Sequence, residues 1–218
     1  MRIDKVNILN FFLFFSILAS SQNNTRSPYS LNELGEINFL GNVSSVSMGG
    51  VESSLDSIEF NINNPSSLAN LKTTNYQIGT FYKSTGISNG TLTDRYNSAN
   101  INYVAIGIPV KNFGFGFGVL PYSSTGFSLQ SSESYNDLNS IGSRLFYADG
   151  NVNRAFLSAG LSLTKTISIG ATINYNFGKF SYEMFNQYDD VSYGIYSNSS
   201  SEISGFNYNL SSGFTIPL

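Results

Sequence analysis

An all-β fold is what this sequence predicts: an antiparallel outer-membrane β-barrel, present in part with about six strands, and preceded by a plug-like N-terminal segment. Three observations point there. Apolar residues alternate with small or polar ones along the second two-thirds of the chain. The polar positions are Gly, Ser, Asn and Thr instead of Lys and Glu. Short and long links between the alternating segments take turns. The composition agrees, since only 11% of the 218 residues are charged while 41% are hydrophobic and 15% aromatic, against about 25% charged in an ordinary soluble domain.

The chain opens with Arg2 and Lys5 before an apolar run from Ile8 to Leu18, then Ala19-Ser20-Ser21. This is the order of a secretory signal peptide over residues 1–21, with cleavage expected after Ser21. The run is well short of the roughly 20 apolar residues a membrane helix needs. No longer apolar run follows, so a mature chain living in a membrane has to cross it with strands.

Residues 22–72 form the second region, read as a hatch or plug. Its short apolar pieces are separated by turn formers, and it carries Glu33, Glu36, Glu52, Asp56 and Glu59, which a lipid-facing surface does not tolerate. The segment is therefore expected inside a lumen or below the membrane. Asn64-Pro65-Ser66 lies just before the first strand; Pro65 fixes its own φ and biases Asn64 to an extended conformation, which suits a fixed turn from plug into wall.

Residues 73–218 hold six alternating segments. The clearest places Ile167, Ile169, Ala171, Ile173, Tyr175 and Phe177 on one face, against Ser168, Gly170, Thr172, Asn174 and Asn176 on the other; the period of two is that of a strand. Phe113 to Val119 and Phe206 to Ile216 do the same, with weaker versions at 74–82, 104–108 and 155–163. Alternation alone also fits a soluble sandwich. A solvated sheet face, however, normally carries charge, whereas neutral small residues suit an enclosed lumen with apolar residues turned to lipid. Ile169, Ile173, Phe115, Phe117, Tyr208 and Leu210 are thus expected to face lipid, with Gly116, Asn174 and Asn209 opposite. The links at 110–112 and 164–166 are short, while 84–95, 123–143 and 179–201 read as long polar loops, the asymmetry of periplasmic turns and extracellular loops. Tyr82, Tyr103, Tyr122 and Phe180 read as an interfacial girdle. Closed single-chain barrels start at eight strands, so six are expected to be the N-terminal portion of a longer barrel.

Chemistry is largely excluded. With no His, Cys or Trp, imidazole bases, thiolates and the usual zinc sets are missing, so no enzymatic activity, cofactor or metal is expected. A net charge of -3 and pI near 4.8 argue against nucleic-acid binding. Gly114-Phe-Gly-Phe-Gly has the wrong spacing for a dinucleotide fingerprint. Asp189 and Asp190 are two carboxylates where calcium takes six to eight oxygens. Arg154 opens its segment on the inward face, where it meets either plug carboxylates or the aqueous rim.

Arg26-Ser-Pro-Tyr-Ser-Leu, Met48-Gly-Gly-Val, Asn64-Pro-Ser-Ser-Leu-Ala, Thr74-Asn-Tyr-Gln-Ile-Gly, Ile106-Gly-Ile-Pro-Val and Gly114-Phe-Gly-Phe-Gly-Val-Leu-Pro-Tyr-Ser-Ser together resemble outer-membrane proteins of Bacteroidetes that are similar to the FadL family of long-chain fatty acid transporters. That resemblance implies an N-terminal hatch carrying the Asn-Pro-Ala element, matched here by Asn64 and Pro65 with Ser66 in place of Ala. It also implies passive uptake of a hydrophobic small molecule, with outer-membrane lipid and lipopolysaccharide as surroundings. The ligand would leave through a gap at a kinked third strand, where Pro121 is the candidate; the alternative is that Pro121 merely begins an outer loop. A non-transport role, as a secretion-system accessory or surface-interaction barrel, stays open beside uptake.

Overall fold

A computed structural model describes residues 27, 30, 34–38, 41–53, 57–88, 93–135, 140–188 and 194–215. The signal peptide, the Asp189-Asp190 pair and the C-terminal Pro217-Leu218 lie outside the described residues.

The fold is all-β, one antiparallel seven-stranded sheet. A two-residue strand β1 (Glu36–Ile37) and a short helix α1 (Val43–Ser47) come first, then a 3₁₀ turn at Pro65–Asn70. The wall follows as β2 (Asn75–Ser88), β3 (Thr93–Val110), β4 (Phe113–Tyr135), β5 (Ser140–Ser162), β6 (Ile167–Tyr188) and β7 (Gly194–Phe214), each paired with the next in chain order. β1 stands off this path and pairs with β4.

The alternation of the sequence becomes two faces. Register pairs Phe115 with Ala159, Leu157 with Ile173, and Ile173 with Tyr208. Those residues share one face, and it is open: Ile173 is 59% exposed and Tyr208 81%. On the opposite face Asn174 is 8% exposed, and Gly116 lies against Leu68 and Phe60 of the N-terminal segment. A sheet with its large apolar residues outside and its small ones inside is inverted relative to a water-soluble sandwich.

The strands run further than the expected long loops allow. The polar stretches 84–95, 123–143 and 179–201 are mostly strand, leaving only the residues between β2 and β3, β4 and β5, and β6 and β7 as connections. At about 3.3 Å per residue, the 23 residues of β4 span about 75 Å, while a bilayer takes about 9–11 residues of tilted strand. Beyond the apolar belt the same hydrogen-bonded ladder continues, from Ser123↔Val152 to Tyr135↔Ser140. Along it burial no longer alternates, since 123–127 are all buried and 128–131 all exposed, so the period-two pattern fades although the backbone stays extended.

The aromatic girdle is corrected in part. Tyr82 is exposed, but Tyr103 and Phe180 are buried and Tyr122 lies over Arg154. Phe180 has the parity of the inner residues Asn174 and Asn176, which fixes its side. Tyr103 has the parity of Ala105 and Gly107, which are buried on the inner face opposite the exposed Val104 and Ile108; the bulge where Gly79↔Tyr103 is followed by Thr80↔Ile101 lies beyond it and turns Ile101 outward.

Candidate functional site

The inner face is occupied at its short-turn end. Asn64, at φ −116° and ψ 86°, precedes Pro65 at the start of the 3₁₀ turn, in keeping with the restriction a proline places on its neighbour. Pro65, Ser66, Ser67 and Leu68 are all buried. Phe60, Ile62, Leu68 and Leu71 from this segment form one apolar cluster with Tyr103, Ala105, Leu120 and Phe156 of the wall. Each such side chain is worth about 1.5–3 kcal/mol on full burial, which gives the segment an energetic reason to dock.

Glycines on the wall make that docking possible. A Cβ at Gly170 would stand 2.3 Å from the carbonyl carbon of Pro65 and the nitrogen of Ser66, and one at Gly114 would stand 2.0 Å from the Leu68 oxygen. Both neighbours are backbone, so neither position accepts a side chain while the turn is seated. Polar bonds then fix the register of turn on wall: the Ser66 N–H donates to Ser211 Oγ at 2.8 Å, Asn209 Nδ2 to the Asn63 carbonyl at 2.7 Å, and Ser162 Oγ to the Ala69 carbonyl at 3.2 Å. Ser66 Oγ donates to Asn64 Oδ1 at 2.6 Å, a bond that an alanine at 66 does not make.

Asn42 is a residue that sequence reasoning missed. It is buried, its amide nitrogen donates to Phe60 O and to Gln77 Oε1 at 2.7 Å, and its Oδ1 accepts from the Ile62 N–H at 2.8 Å. The start of α1, the loop at 59–62 and β2 therefore meet at one side chain. The available signal was Gln77, a long amide on the inward parity of the first wall strand.

At the other end the wall splits. The β3–β4 ladder covers only Val104↔Val119 to Val110↔Phe113; beyond it β3 stays with β2 and β4 stays with β5. Pro121 falls directly after the last β3–β4 pairs, beside a bulge that leaves Tyr122 between Pro121↔Asn153 and Ser123↔Val152. Proline removes one ladder donor and bulges bend the strand. The alternative in which Pro121 begins an outer loop is corrected, since β4 runs on to Tyr135. β1 takes up the freed edge through Glu36↔Ser124 and Ile37↔Ser123, the Asn38 N–H donates to Tyr122 O at 2.9 Å, and Lys83 of β2 reaches across to Glu36 at 2.5 Å. Gly35, at φ 75°, passes so close that a Cβ would stand 2.5 Å from Ser124 O.

Arg154 faces inward, as its parity implies. Of the two partners expected for it, plug carboxylates are not what it meets among the described residues: its Nε donates to Asn176 Oδ1 at 2.8 Å and its guanidinium lies 4.3 Å from the centre of the Tyr122 ring. Among the described residues no group of three or more acidic side chains has metal-site geometry.

The fold and this docked segment define a barrel-like, outer-membrane-associated protein. The family comparison agrees: the chain belongs to the BamG family, a β-barrel assembly-related outer-membrane family whose model matches residues 3–218. The FadL likeness and the Bacteroidetes source read from short motifs are not part of that finding. No curated protein and no solved structure matches the chain.

Proposed function

We propose that this chain serves in the outer membrane as a non-enzymatic accessory of β-barrel assembly, its apolar outer face in lipid and its extended strand ends offered to protein partners. The observation that carries the reading is the BamG match over residues 3–218. Two features support it. The docked segment fills the inner face where Gly114, Gly116 and Gly170 leave room, and strands of 21–23 residues rise well past the about 9–11 that lipid requires. Depleting the protein should lower the folded, heat-modifiable fraction of several unrelated outer-membrane barrels while labelled fatty-acid uptake per cell holds steady. Normal barrel levels after full depletion would defeat the proposal.

The second reading is passive uptake of hydrophobic, fatty-acid-like molecules. The split beside Pro121 favours it, because an interrupted ladder is where a wall opens sideways. The same depletion decides between the two, since uptake then falls and barrel levels do not.

A further inference from the structure

We infer that the space between the docked segment and the wall is a binding pocket for a small polyhydroxylated anion of the sugar-acid type. The cavity holds about 200 Å³, and its polar lining is Arg154, Thr172, Asn174, Asn207 and Asn209 of the wall with Asn63 of the docked segment. One cation stands among amides, and Ile62, Leu120 and Tyr208 complete the lining and can take the apolar face of a sugar ring.

The cation is held ready. Nε of Arg154 is engaged by Asn176 at 2.8 Å and the guanidinium carbon lies over the Tyr122 ring, 4.3 Å from its centre, so little rotamer freedom remains to be lost on binding. Among the described residues it has no counter-charge, for the ion pair found there joins Lys83 to Glu36 and the partners of Arg154 are Asn176 and Tyr122. A cation withdrawn from bulk water without a counter-charge raises the local concentration of anions, and a planar guanidinium matches a carboxylate in a fork.

The amides decide what the rest of the ligand is. Asn174 and Asn207 each carry two N–H donors and an acceptor oxygen, which suits hydroxyl groups that donate and accept in turn, whereas Asn209 and Asn63 already give a donor to the Asn63 carbonyl and to Glu52 Oε1. Asn174 is buried, and leaving its amide against an acyl chain costs an unmade hydrogen bond. A fatty acid therefore fits poorly. Inorganic phosphate satisfies the arginine but leaves the amide wall unused. The volume lies below the about 300 Å³ at which drug-sized pockets begin, room for a single hexose-sized ring. The floor depends on docking, because Asn209 bonds the Asn63 carbonyl at 2.7 Å.

The test is calorimetric titration of the full chain in detergent micelles at fixed ionic strength, with glucuronate as probe and glucose and inorganic phosphate beside it. Glucuronate should saturate, with glucose and phosphate each at least about tenfold weaker. Arg154→Gln should weaken glucuronate at least tenfold and bring it level with glucose. Asn174→Leu and Asn207→Leu, which leave the arginine in place, should weaken glucuronate and leave phosphate unchanged, so the proposal stays testable even if the arginine variant does not fold. Absence of saturable glucuronate binding by the wild type, phosphate binding as tight as glucuronate, or glucuronate affinity unchanged in the folded variants would each overturn it.

Discussion

The two ends of the wall are built from the same antiparallel ladder, but the N-terminal segment is held to them by different forces. At the short-turn end all six wall strands are paired in one run, and the inner face is packed against Phe60, Leu68 and Leu71. At the far end β3 and β4 have parted, and the gap is bridged by a two-residue strand and one ion pair. The first attachment rests on removal of apolar surface from water; at the second, where Phe127, Ala148, Val152 and Phe180 are buried in the wall, β1 itself is held by hydrogen bonds and the ion pair. Burial is the larger contribution per residue, so substitutions at the two ends should differ in both size and kind.

The largest contrast comes from lysine on the outer face. Ile173→Lys, in the middle of the apolar belt, should cost about 2–4 kcal/mol in lipid. Tyr196→Lys, on the same face of the sheet but near the tip of β7, should cost less than about 0.5 kcal/mol, as a surface change away from special features does. Equilibrium unfolding in lipid vesicles measures both. Similar costs at the two positions would remove the lipid boundary placed between them.

How much of this was legible depends on the same boundary. Where a strand separates two environments, each residue is marked by its side, and Ile167 to Phe177 could be read directly. Past Phe180 the chain Ser181-Tyr182-Glu183-Met184-Phe185-Asn186 keeps the β6 ladder through Gln187↔Gly194 without that marking, so it read as loop. The seat of the docked segment was half visible. Asn64-Pro65-Ser66 announced a fixed turn and the inward glycines announced space, but their relation is three-dimensional: Gly170 lies more than a hundred positions from the Pro65 it accommodates. Tyr103 sits near a segment end, which suits a girdle, but it shares the parity of Ala105 and Gly107 and so faces in. Asn42 had no pattern around it.

Gly170→Leu tests the packed end directly. A Cβ there meets Pro65 and Ser66 backbone at 2.3 Å, so the turn must lift or the strand must bend, at about 3 kcal/mol, the upper part of the usual overpacking range. Limited proteolysis should then cut within 41–72 while the wall strands stay protected. A segment as resistant as in the wild type would show that the close approach is not what seats it.

Asn42→Ala should come next, at about 1–3 kcal/mol, because it strands the buried Ile62 N–H and the Gln77 amide that it now satisfies. Its effect belongs to the packed end, through the loop at 59–62. Amide exchange should quicken at Ile62 and leave the β4–β5 extension untouched.

The smallest effect belongs to the split end. Lys83 and Glu36 are 42% and 36% exposed, so their pairing is screened by solvent, and Lys83→Gln should cost no more than about 1 kcal/mol. The global unfolding midpoint should barely move. Locally the consequence is different, since β1 is held to β4 by a two-residue ladder, by the Asn38 to Tyr122 bond, and by the bonds from Thr125 Oγ1 to Ser30 O and from the Gly126 N–H to Ser30 Oγ, each 3.3 Å. Because the ladder itself is only two residues long, losing the ion pair should speed amide exchange at 36–38 several-fold, an effect that added salt reproduces in the wild type because salt screens exposed charges. Exchange at 59–71, seated by burial, should not respond to either change. If the variant loosened both stretches together, the N-terminal segment would be one cooperative unit, and the two ends of the wall would no longer be separable by the force that holds them.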